Sequence, residues 1–252
     1  MKKFEVIAFD IDSTLARSKQ ALEPEMAELI SGLMRKYKVA IISGAGQEQF
    51  KWQVVDPLPK DPSILENLYL LPADGTIFCK FSGDWICDHD EPLPDAEKVR
   101  IRSAFDGIFE KSGLEAPEEL YGELIEDRGA HMNFSALGQL APLELKEQWD
   151  PDNLKRQRIV EELKKVIPEY SLHIGGTTSI EITRPGIDKS HGLKKLMERV
   201  GVSKQAVLYV GDKIFEGGND YPALAMGLEC RAVSGPEETK VVIRELLELN
   251  FE

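Results

Sequence analysis

Two short apolar runs constrain this chain more than any other feature: Phe4–Phe9 and Ala206–Val210 each read as a buried strand, and each leads into an acidic loop. After the first comes a polar turn and the helical spacing of Met26, Leu29, Ile30 and Leu33, so the order is strand, loop, helix. The unit repeats, with a buried strand over 38–42, a turn at Ser43-Gly44-Ala45-Gly46 and a helix through about Val55. Such alternation predicts a parallel sheet, with ligands at the carboxyl ends of its strands. Residues 67–79 add two short strands about Ala73-Asp74-Gly75, whose Asp-Gly pair signals a hairpin.

From about Trp85 to Pro185 the pattern changes. A strand, a helix over 95–111, strands near 120–125 and 131–137, a helix over 152–166 and strands at Leu172 and Ser179 suggest a separate α+β unit. Beyond Ile187 the first pattern returns, with helices over 189–200 and 239–249 around strands at 206–210 and 230–233. The expected organisation is a core of residues 1–85 plus 187–252, interrupted by a module of residues 86–186. At 252 residues the chain has the length for a core with such an insertion.

A formal charge of −13 argues against nucleic acid and against an anionic membrane surface, since both attract cationic proteins. An anionic small molecule would need a local cluster of cations or a metal ion. Cys79, Cys87 and Cys230 lack CxxC spacing, and an odd count fits free thiols in a reducing, cytoplasmic setting. The amino-terminal MKKFEVIAFD has too short an apolar stretch for a signal peptide or a membrane helix.

Asp10-Ile11-Asp12-Ser13-Thr14 follows the first strand directly. Paired acids there suit phosphoryl chemistry: one attacks phosphorus and the other moves the leaving-group proton, while a divalent cation screens their repulsion from phosphate. The rival reading as a calcium loop fails, because Leu15 stands where Gly is needed and Ala21 where Glu is needed. Gly211-Asp212-Lys213-Ile214-Phe215-Glu216-Gly217-Gly218-Asn219-Asp220 follows the other strand and offers hard oxygen ligands of the kind Mg2+ takes, although a glycine-rich turn with capping acids has the same composition. Ser43 at a strand end and Lys189 at a helix start are residue types that stabilise a transferring phosphoryl group.

The order and spacing of these four pieces resemble the haloacid dehalogenase (HAD) superfamily, whose motifs are D-x-D-x-T, a strand-end Ser or Thr, a Lys and an acidic G-D…N-D loop. The resemblance implies an α/β fold: a HAD-type doubly wound parallel-sheet core with an inserted α+β cap domain of the type IIB kind. GDKIFEGGNDYPAL, RGAHMNFSALGQ and GGTTSIEITRPGIDKSHGL carry a closer resemblance, to eukaryotic-type phosphomannomutases, over nearly the whole chain. It implies Asp10 as nucleophile and Asp12 as acid/base. It also implies magnesium on Asp10, the Asp12 carbonyl and Asp212, with Asn219 and Asp220 nearby, and pairing of two copies through the cap.

The family's cap grips the distal phosphate with arginines, and here the chain departs. Arg128 and Asn133 match, but Gln139 and Lys146 stand at the next two arginine positions, and Lys19 replaces another, with Arg17 as a possible substitute. Lysine is a point charge and glutamine is neutral, so a second phosphate is held less firmly. Ser179 and Glu181 keep the type of hydroxyl and acid the family uses toward sugar hydroxyls, although Glu181 replaces an aspartate. Ser13 replaces a glycine, which costs little at negative φ and much at positive φ. The lost arginines favour a sugar-phosphate phosphatase. Interconversion of mannose 1-phosphate and mannose 6-phosphate is the alternative, and a non-catalytic binding protein on the same scaffold is a third reading.

Overall fold

The apolar runs place most of the strands, and a computed structural model describes residues 4–90 and 92–248. Leu249, placed at the end of the last helix, and the Met1–Lys3 stretch lie outside the described residues. The chain divides into two compact units, one of residues 1–89 and 188–252 and the other of residues 90–187.

In the first unit a seven-stranded sheet has the order β11-β10-β1-β2-β3-β4-β5. Its strands are β1 (Val6–Phe9), β2 (Lys38–Ile42), β3 (Leu68–Leu71), β4 (Ile77–Phe81), β5 (Trp85–His89), β10 (Val207–Gly211) and β11 (Glu229–Ala232). Pairing is parallel from β11 through β3 and antiparallel at β4 and β5. Every residue of β1 and β10 is buried, as central parallel strands covered on both faces must be. One face packs Phe9, Ile41, Leu70 and Val210 against α1 (Pro24–Met34) and α10 (Pro236–Glu248). The other packs Ala8, Ile42 and Tyr209 against α8 (Lys189–Val200) and α9 (Tyr221–Ala225). The connections run from β1 to β2 on one side while β10 closes the other, so the strand order switches between β1 and β10, where open sheets of this kind bind ligands.

Two short helices, α2 (Gln47–Phe50) and α3 (Pro62–Leu65), complete this unit. The helix expected through Val55 is α2 followed by a π-helical turn over Lys51–Val55. Trp85–His89, read from the sequence with the inserted module, pairs with β4 in the large sheet.

That pairing also corrects the cysteine reading. Cys79 and Cys87 are register partners on β4 and β5 and form a disulfide, which removes the argument for a reducing compartment. The sequence expectation missed the pair because its spacing follows from a hairpin register rather than from a motif. Cys230 is free, and burial pushes its thiol up to about 11. Alkylation in denaturant without reductant is expected to add one adduct and with reductant three. In the native state Cys230 should react slowly. Intact-mass spectrometry reads both results, and three adducts without reductant would rule out the pair.

The second unit is a four-stranded antiparallel sheet of order β6-β7-β9-β8, from β6 (Ile125–Asp127), β7 (His131–Ser135), β8 (Ser171–Gly175) and β9 (Ser179–Thr183). Met132, Phe134, Ile180 and Ile182 point to one face and pack on α4 (Asp95–Ala104), α5 (Ile108–Lys111) and α7 (Leu154–Val166). Phe105 stacks on Phe134 at 4.7 Å. The helix expected over 95–111 breaks at Gly107, whose φ of 65° only glycine adopts freely. The expected strand near 120–125 begins only at Ile125, and a helix absent from the sequence reading, α6, spans Leu143–Trp149. None of the helices among the described residues is long and apolar enough to cross a membrane.

Candidate active site

The carboxyl ends of β1 and β10 are adjacent, because Phe9 and Val210 are register partners and the Asp10 N–H donates to the Val210 carbonyl at 3.0 Å. Asp10 and Asp212 thus come from neighbouring strand ends. Asp220 returns from the glycine-rich loop, and the three carboxylates can each offer an oxygen within 4.8 Å of the others. The loop permits this only with glycine at 211 and 218. A Cβ at Gly211 would meet Asp220 Oδ2 at 2.4 Å, and one at Gly218 would meet the Lys213 carbonyl oxygen at 2.2 Å.

Lys189 opens α8, and its fully buried ammonium donates to Asp10 Oδ1 at 2.5 Å and to Asp220 Oδ1 at 2.6 Å. Burial alone would lower its pKa, but Asp10 and Asp220 outweigh that and hold it well above the usual range. Asp220 is depressed despite burial because Lys189 and the Tyr209 hydroxyl both donate to it. Burial pushes Asp10 well above its usual range; Lys189 opposes this, and Asp220 and Asp212 add to it. Burial likewise raises Asp212 against the pull of Lys213, 3.0 Å away. Two ammoniums, Lys189 on Asp10 and Asp220 and Lys213 on Asp212, thus face three crowded acids, and the cluster keeps a net negative charge of the kind a divalent cation offsets. Asn219 supports this, since its buried Oδ1 has no hydrogen-bond partner among the described residues. The donor set fits a hard cation.

Asp12 stands apart from that cluster. Its Oδ1 accepts from the Lys19 N–H at 2.8 Å and from Gln53 Nε2 at 2.9 Å. Lys19, expected to meet substrate, thus uses its backbone on Asp12, while Arg17 is exposed. Ser43, at the end of β2, is buried and its hydroxyl accepts from the Ala45 N–H at 3.2 Å. Ser13 has φ 63°, so the costly case of the glycine replacement applies. Ser13→Gly is expected to stabilise by about 1 kcal/mol, the cost of a left-handed L-residue. A higher urea midpoint at constant slope would report it; a lower one would mean the Ser13 side chain contributes more than its backbone strain costs.

In the second unit, Asn133 and Glu181 are register partners on the polar face of the sheet, as are Ser135 and Ser179. Asn133 Nδ2 is buried with no partner among the described residues. Gln139 donates to the Asn133 carbonyl at 3.4 Å, and Lys146 to the Gln139 carbonyl at 3.1 Å. Arg128 donates from Nε and Nη2 to one oxygen of Glu126. Arg128, Asn133, Gln139, Lys146, Ser179 and Glu181 all belong to this unit, whereas Asp10, Asp12, Ser43, Lys189, Asp212, Asn219 and Asp220 belong to the first.

A family model for eukaryotic phosphomannomutase matches residues 99–249. The chain belongs to the eukaryotic phosphomannomutase family. It is 25% identical over 250 residues to a probable phosphomannomutase of Caenorhabditis elegans, covering 96% of this chain and 95% of that one. It is 26% identical over 252 residues to phosphomannomutase 1 of Dictyostelium discoideum, covering 96% of each. The IMP-bound IMP-nucleotidase of Plasmodium falciparum superposes with a TM-score of 0.71 at 18% identity, over 98% of this chain and 69% of that one. A haloacid dehalogenase-like hydrolase of Bacteroides thetaiotaomicron gives 0.61 at 12% identity, over 97% and 100%. These two likenesses show the fold, a HAD-type α/β core with a cap. The phosphatase expectation is overturned, because the family model and the curated relatives are phosphomannomutases. Replacement of two family arginines by Gln139 and Lys146 does not take the chain out of that family.

Sequence reasoning missed three residues. Gln53 has no motif. Tyr209 lies in the expected buried strand over 206–210, and that position gives no sign that its hydroxyl reaches Asp220. Asp74 was read only as a hairpin signal, yet Ala73, Asp74 and Gly75 all adopt positive φ and bury a carboxylate whose charge helps to raise Lys189.

Proposed function

We propose that this chain is a hexose phosphomutase that interconverts mannose 1-phosphate and mannose 6-phosphate through a phosphorylated Asp10. The observation that carries the reading is the meeting of Asp10, Lys189, Asp212 and Asp220 at adjacent strand ends in a chain of this family. Asp10 attacks phosphorus, and Asp12 gives a proton to the leaving sugar oxygen and later takes one from the incoming hydroxyl. The Lys189 ammonium stays charged and, with the Ser43 hydroxyl, offsets the negative charge of the phosphoryl group. Magnesium, held by Asp10, the Asp12 carbonyl, Asp212 and the Asn219–Asp220 pair, would supply the positive charge that lets a carboxylate approach phosphate. In the second unit Asn133, Ser179 and Glu181 are the candidates for sugar hydroxyls and Arg128, Gln139 and Lys146 for a second phosphate; in the first unit Arg17 and Lys19 are further substrate candidates. Pairing of two copies through the second unit belongs to the same reading. It is supported by the exposed Leu120 and Leu140 there, and sedimentation tests it.

The deciding experiment supplies mannose 1-phosphate and magnesium, with and without a hexose bisphosphate activator, followed by phosphorus NMR. Mannose 6-phosphate that depends on the activator is the expected product. Inorganic phosphate as the main product, with no 6-phosphate formed, would overturn the proposal.

A further inference from the structure

We infer that Gln53 is a positioning residue for phosphoryl transfer: it fixes one oxygen of Asp12 so that the other is the one that handles the proton. The inference rests on the reading of Asp12 as acid/base. Gln53 is fully buried, an uncommon place for a primary amide. Its own Oε1 accepts from Gln49 Nε2 at 2.8 Å, which turns its Nε2 toward Asp12 Oδ1, 2.9 Å away. Its backbone carbonyl is held as well, by the Leu22 N–H at 2.9 Å.

Two departures from regular backbone serve this contact. Gln53 sits in a π-helical turn, closed by the Asp56 N–H on the Lys51 carbonyl, and the extra residue in that turn re-aims its side chain. Lys19 adopts φ 50°, unfavourable for lysine, and its N–H is the second donor to the same Asp12 oxygen. Both donors fall on Oδ1, which leaves Oδ2 for the proton. As the bond from Asp10 to phosphorus forms, the ester P–O bond breaks, its electron pair goes to the sugar oxygen, and that oxygen takes the proton from Asp12. A poor leaving group needs that proton in place, whereas a nitrophenolate leaves as a stable anion.

The test is therefore a comparison of leaving groups in single turnovers with magnesium. In Gln53→Met, transfer from mannose 1-phosphate is expected to slow tenfold or more relative to wild type. The burst of nitrophenolate from 4-nitrophenyl phosphate should slow less than twofold. Gln49→Met frees the Gln53 amide to rotate without touching Asp12, and it should move the ratio in the same direction by a smaller factor; it stands in if Gln53→Met fails to fold. Equal slowing with both donors, or no slowing with either, overturns the role of Gln53. A wild-type chain that transfers from neither donor overturns the phosphomutase reading together with the inference built on it.

Discussion

Asp10→Asn is expected to lower turnover at least about a thousandfold, because the amide keeps the shape of the carboxylate and loses its nucleophilicity. The substitution should not unfold the chain. Asp10 carries a pKa raised by burial and by its acidic neighbours, so removing its charge relieves crowding against Asp212 and Asp220. Single-turnover transfer of labelled phosphate to the protein, set beside a urea melt, checks both halves. Labelling that persists in the variant would place the nucleophile elsewhere, and lost activity with a collapsed midpoint would leave structure rather than chemistry as the cause.

Lys189→Met should have the largest effect on stability. It removes the buried ammonium that Asp10 and Asp220 share, and leaving buried carboxylates unpaired costs about 3–5 kcal/mol. In a chain of this size that is roughly a 10 °C fall in Tm. The pH dependence gives the sign. In the wild type Asp220 is depressed, so its contribution is present above the ordinary carboxyl range and is lost as pH falls through its lower folded value. In the variant Asp10 loses its counter-charge and Asp220 keeps only the Tyr209 hydroxyl and the Lys213 N–H, so burial raises the carboxyls relative to the wild type and stability is expected to fall as pH rises through those raised values. Melts of wild type and variant at mildly acidic and mildly alkaline pH measure this. A gap that is no wider at the alkaline pH would mean the lysine is not the counter-charge.

Much of this was legible in the chain itself, and the reason is periodicity. Val6–Phe9 and Val207–Gly211 announce buried strands, and in a parallel sheet the residue after such a strand reaches the ligand edge, which is how Asp10 and Asp212 could be named. Lys189 followed from its place at the start of α8, after the Asp188 cap. What stayed hidden depends on register or on backbone defects. The partnership of Cys79 with Cys87 needs the β4–β5 pairing, and the role of Gln53 needs a π-helical turn that no propensity predicts. Ser13 could be flagged as a problem position, but the sign of its φ is decided by how residues 11–16 fold back on the Ile11 carbonyl. The phosphatase reading failed for a different reason: counting arginines weighs one substrate contact and ignores the rest of the chain.

β1 takes β10 as one neighbour and β2 as the other, although β10 is encoded far downstream. A chain cut before residue 207 therefore leaves one flank of β1 without its partner strand and leaves Asp10 without Asp212 and Asp220 beside it. Such a shortened chain is expected to show no phosphoryl transfer, since two of the three clustered acids are missing from it.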